Sequence, residues 1–85
     1  MNRTQEIARV VNTVAAAHGE TQRTVAAIVG CDPATVTRRV RQGKGSWTAE
    51  DLEALAKHYD VPTATFLRPL ADVQDALIAR YMSAA

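Results

Sequence analysis

The sequence predicts an all-α fold: a compact helical bundle of about five helices plus a C-terminal amphipathic helix. Three observations lead there. Apolar residues recur at three- and four-residue spacings through most of the chain. Glycines and prolines fall at the joints between those periodic stretches. No stretch shows the apolar–polar alternation of a half-buried strand. With 85 residues, 47% hydrophobic and only 5% aromatic, the chain suits one small domain with an aliphatic core.

In the first helix, Thr4 to His18, Ile7, Val11, Val14 and Ala15 form one stripe with Val10 beside it. Asn2 or Thr4 is placed to cap its start, and Gly19 ends it. A short second helix spans 21–29, with Thr21 as N-cap and Val25, Ala26, Ile28 and Val29 inward; Gly30 stops it. Asp32-Pro33 restarts the chain as a third helix over 33–42, the proline sitting at N1 where a missing N–H costs nothing. Val36 and Val40 face inward and Gly43 ends the helix. After the loose Gly43-Lys44-Gly45-Ser46 joint, Thr48 to Asp51 opens a fourth helix whose acidic first turn suits the helix dipole. Its stripe is Leu52, Leu55, Ala56 and Tyr59. Thr63 to Leu67 reads as one more helical turn, anchored by Phe66 and Leu67, and a last helix runs from about Pro69 to Met82.

The charge pattern is uneven. Net charge is only +1, yet Arg38, Arg39, Arg41 and Lys44 crowd together with no acid between Asp32 and Glu50. Like charges one turn apart repel by a few tenths of a kcal/mol, so a polyanionic partner is the simplest reason to gather them. A short helix, a glycine-containing turn and a second helix with a cationic outer face is the helix-turn-helix plan. In that plan the second helix enters the DNA major groove.

The stretches "TQRTVAAIVGCDPATVTRRV" and "LEALAKHYDVPTATFL" resemble the lambda-repressor/Cro-type (XRE-like) helix-turn-helix proteins of phages and bacteria. The shared features are Thr-Gln opening the second helix, Ala26 within it, Gly30 at the turn and Val36 six residues on. The later Leu-x-x-Leu-Ala…Val-x-x-x-x-Phe-Leu block extends the likeness to about Ile7–Leu67. The resemblance implies a DNA-binding domain over 1–68 and places Ala34, Thr35, Thr37 and Arg38 towards base edges. Arg38 is the foremost reader, since a guanidinium matches guanine O6 and N7. Thr21 and Gln22 match phosphate-holding positions at a helix N-terminus. Arg23, Arg39, Arg41 and Lys44 complete the expected phosphate contacts. Two departures stand out: Pro33 sits where glutamine often reads adenine, and Arg39 sits where the family places an apolar residue.

The segment 69–85 carries an apolar stripe of Leu70, Val73, Leu77, Ile78 and Tyr81, expected either to cover the core or to pair with a second copy. The sequence reading is therefore a cytoplasmic, sequence-specific regulator, a phage or prophage repressor or Cro-like protein. Its expected partner is a palindromic double-stranded operator, bound as a homodimer. The alternative from another class is a protein-interaction module such as an antitoxin. No cofactor, metal, membrane contact or small-molecule ligand is expected, and no catalytic constellation is visible. Cys31 is expected to pack at the turn and Trp47 to cover the seam between the third and fourth helices. His18 and His58 are read as exposed helix-end cations or cap partners rather than ligands, and Glu50, Asp51, Glu53 and Asp60 as solvated acids.

Overall fold

The computed structural model describes residues 2–84, with side chains described for residues 2–80. Helix α1 spans Arg3–Ala17, α2 Gln22–Val29, α3 Pro33–Arg41, α4 Ala49–Tyr59 and α5 Leu70–Ala84, with a 3₁₀ turn at Thr63–Leu67 before the last. There is no strand among the described residues, and the fold is an all-α bundle.

Helix α1 is the hub: it touches α2, α3, α4, α5 and the 3₁₀ turn. Its stripe Val10, Val11 and Val14 is fully enclosed by Val25, Val36, Leu55, Phe66 and Val73 from the other elements. Each such side chain stabilises the fold by ~1.5–3 kcal/mol relative to exposure. β-branched valines dominate the list, so the core owes more to tertiary burial than to intrinsic helix preference.

Helix ends follow local chemistry. The Asn2 side chain, not that of Thr4, caps α1 by accepting from the Gln5 N–H at 2.8 Å. At the other end the Glu20 N–H returns to the Ala15 carbonyl, a Schellman closure. Helix α2 closes the same way, with the Cys31 N–H on the Ala26 carbonyl and Gly30 left-handed at φ 74. Helix α4 does too, through the Val61 N–H and Ala56 carbonyl, but its left-handed residue is Asp60 at φ 54. A reciprocal capping box between Thr48 and Asp51 opens α4. Thr21 and Asp32 occupy N-cap positions without making a side-chain cap bond.

One expectation about packing needs correction. Phe66 is fully buried, but Leu67 is 47% exposed. A 3₁₀ helix has about three residues per turn, so consecutive side chains diverge by about a third of a turn and both cannot face the core. In α5, Val73 is buried and Leu70 and Leu77 pack against the core, whereas Ile78 is 59% exposed. Helix α5 therefore covers the core along α1. The Tyr81 side chain lies outside the described residues. No helix among the described residues is long and apolar enough to cross a membrane.

Candidate nucleic-acid interface

Helices α2 and α3 are joined by Gly30, Cys31 and Asp32 and pack on one another and on the core through Val25, Ala26 and Val36. Only a residue tolerant of positive φ closes α2 so abruptly. Cys31 is half-buried against the core, and burial pushes its thiol above the ordinary range. A hydrogen bond fastens the pair from outside: the Thr37 hydroxyl lies 2.8 Å from Gln22 Oε1 and 3.1 Å from the Pro33 carbonyl. One hydroxyl proton serves both acceptors, so Gln22 Oε1 is the closer partner, and the tie links the first residue of α2 to the middle of α3.

The outer surface is built from what remains. Ala34, Arg38 and Arg41 on α3 are exposed, as are Thr21 and Arg23 at the start of α2 and Lys44 just past α3. Thr35, Thr37 and Gln22 are half-buried at its edge. Arg38 is folded back so that Nη2 donates to Thr35 Oγ1 at 3.2 Å, an exposed contact that a stronger acceptor can replace. Three arginines fall in the last turn of α3 and no acid falls in its first.

One expected phosphate contact is not on this surface. Arg39 turns inward: its side chain is 12% exposed, and its guanidinium lies 4.6 Å over the Trp47 ring. Nη1 sits 3.6 Å from Asp51 Oδ2, an ion pair but too long for a hydrogen bond. Arg39 Nε and Nη1 accordingly have no hydrogen-bond acceptor among the described residues. Position 39 lies three residues after Val36 on the buried side of the helix, and packing direction prevails over charge. The flat, weakly hydrated guanidinium tolerates this place because an aromatic face and a carboxylate meet it. Asp51, expected to be a solvated acid, thus both caps α4 and balances Arg39.

Trp47 packs half-buried against the core, carries Arg39 of α3 on its ring and donates its indole N–H to the Thr4 carbonyl of α1 at 3.2 Å. It belongs to a set of bonds between the start of α1 and the loop after α3. Asn2 Nδ2 donates to the Gly43 carbonyl at 3.0 Å, Thr4 Oγ1 to the Gly45 carbonyl at 2.9 Å, and Gln5 Nε2 to the Arg41 carbonyl at 3.3 Å.

A second polar cluster went unread in the sequence. Glu20 accepts from the Tyr59 hydroxyl at 2.8 Å and from His58 Nε2 at 3.1 Å. These bonds clasp the α1–α2 turn to the end of α4. His18 donates from Nδ1 to the Val14 carbonyl and packs its ring 4.9 Å from Tyr59. Hydrogen bonds from Tyr59 and His58 hold the Glu20 carboxyl below its usual value. Burial, then the Glu20 bond, pushes the Tyr59 phenol above its own. Both histidines stand exposed at helix ends, as expected, and each has a partner there: the Val14 carbonyl for His18 and Glu20 for His58. Among the described residues no group of three or more His, Cys, Asp or Glu is placed to hold a metal ion.

No protein-family model, no curated protein and no solved structure matches this chain.

Proposed function

We propose that the protein is a sequence-specific double-stranded DNA-binding transcriptional regulator, a phage or prophage repressor or Cro-like protein working by operator occupancy in a bacterial cytoplasm. The observation that carries this reading is the outer face of α3. Arg38 and Arg41 stand exposed there, Lys44 is exposed just past its end and Arg23 at the start of α2, and the sequence from Pro33 to Lys44 holds no acid. Neighbouring cations of this kind weaken a free surface by mutual repulsion, whereas phosphates spaced along a duplex reward each of them. Ala34 and Arg38 then face base edges, Thr35 and Thr37 lie at their margin, and Thr21, Gln22, Arg23, Arg41 and Lys44 take phosphates.

A single domain reaches one half-site, so a homodimer on a palindromic operator belongs to the same proposal. A second reading, a protein-interaction module such as an antitoxin, draws on Ile78. It is 59% exposed beside a groove lined by Thr13, Ala16, Ala17 and Gln74.

Selection of bound duplexes from a random DNA pool at ~150 mM salt separates the readings. Enrichment of a palindrome supports a sequence-specific dimer, and its half-site spacing reports how the subunits pair. Binding without enrichment leaves phosphate contacts alone and removes the regulator reading. No retained DNA makes the cationic face a protein-binding surface and gives the second reading the lead.

A further inference from the structure

We infer that the first turn of α1 is a positioning frame for the loop between α3 and α4, with Asn2 and Thr4 as positioning residues that present Lys44 to a backbone phosphate. This rests on the DNA reading above. The carbonyls of Arg41, the last residue of α3, and of Gly43 and Gly45 in the loop that follows are all drawn to α1 by side chains of its N-cap and first turn, Gln5, Asn2 and Thr4. Lys44 is exposed and lies between two of those bonded carbonyls, those of Gly43 and Gly45.

Asn2 serves two ends at once. Its Oδ1 accepts from the Gln5 N–H and caps α1, and its Nδ2 donates to the Gly43 carbonyl. Gly43 answers both demands of the arrangement: it is left-handed at φ +64, and a Cβ there would collide with the Asn2 amide. On the far side, Trp47 donates into α1 while its ring carries Arg39 of α3. The loop is thus held from α1 and from α3 together. A lysine on a loop already fixed loses less freedom when it meets a phosphate than one on a loose chain, which raises affinity without any new contact.

The test combines hydrogen exchange with a double-mutant cycle. Asn2→Ser keeps a good helix cap and shortens the donor out of reach of Gly43. Thr4→Val removes the donor to Gly45 at nearly equal shape. Each is made with and without Lys44→Ala, and thermal melting identifies the folded variants; Thr4→Val alone carries the test should Asn2→Ser unfold. Amide exchange at Gly43–Ser46 is expected to speed up in the free protein. Affinity for the selected duplex is expected to fall roughly two- to tenfold when Lys44 is present, and not at all in the Lys44→Ala background.

Unchanged exchange overturns the frame itself. Equal losses of affinity in both backgrounds overturn the positioning of Lys44, since the effect is then a general one on the fold. A wild-type chain that binds no duplex, with loop exchange still quickened by Asn2→Ser, overturns the DNA reading and Lys44's role with it. That result is distinguishable because the frame is measured without DNA.

Discussion

One step along α3, about 100° of helix rotation, takes the chain from the exposed Arg38 to Arg39, whose side chain is 12% exposed. The two arginines carry equal charge, and only direction gives them different work. Arg38→Ala is expected to remove preference at one or two base pairs and to cost ~1–3 kcal/mol at the cognate site. Equal weakening on cognate and random duplexes would show that Arg38 reads nothing. Arg39→Ala is expected to lower stability by ~1 kcal/mol through loss of its place over Trp47. On the DNA-binding proposal, the inward turn of Arg39 predicts a slope of affinity against salt unchanged from the wild type in Arg39→Ala, and a slope lowered by about 1 would count Arg39 among the phosphate contacts. The inward turn of Arg39 was half legible: its spacing from Val36 points to the core, but clustered charge in a sequence reads as solvated surface. What reverses that reading is Trp47 and Asp51, which arrive from beyond a loop of glycines that has no periodicity.

At the scale of elements, three of the helices end in the same closure, but with different residues in its left-handed slot. Gly30 has nothing within 4 Å of where a Cβ would sit, so Gly30→Ala tests conformation alone. A loss of ~1–2 kcal/mol in denaturant unfolding is expected, the usual cost of a left-handed L-residue. Asp60 accepts that cost natively at φ 54, and Asp60→Gly is expected to raise the midpoint, by under ~1 kcal/mol in free energy. A lowered midpoint would mean that the Asp60 side chain contributes a contact that outweighs its backbone. Helix number, order and inward stripes were legible because apolar period and stop signals act locally. Leu67 was not, since a single 3₁₀ turn is too short to display a period, and apolar character alone does not say which neighbour of Phe66 faces out.

Across the whole molecule, the α1–α2 turn and the end of α4 are joined by polar groups 38 and 39 residues apart in sequence, a pairing no local pattern announces. Its signature is acid sensitivity. Tyr59 and His58 hold Glu20 below its ordinary value, so the unfolded chain binds a proton at a higher pH than the folded one does. The contribution of Glu20 is therefore complete above the unfolded carboxyl pKa and is lost as pH falls through the folded one. Melting midpoints measured from about pH 7 to about pH 3 should fall more steeply in wild type than in Glu20→Gln; parallel curves would show that the clasp holds no proton-linked stability. The frame at the start of α1 has a different consequence, for the order of assembly. Its bonds from Asn2 and Thr4 span 41 residues, whereas α2 and α3 meet across a three-residue turn. Closing the long loop costs more chain entropy than closing the short one, so the α2–α3 pair is expected to gain its contacts early and the frame to close late. Contacts made after the barrier govern how fast a protein comes apart rather than how fast it forms. Asn2→Ser is thus expected to shorten the lifetime of the folded state more than it slows folding, which unfolding and refolding rates in denaturant would read.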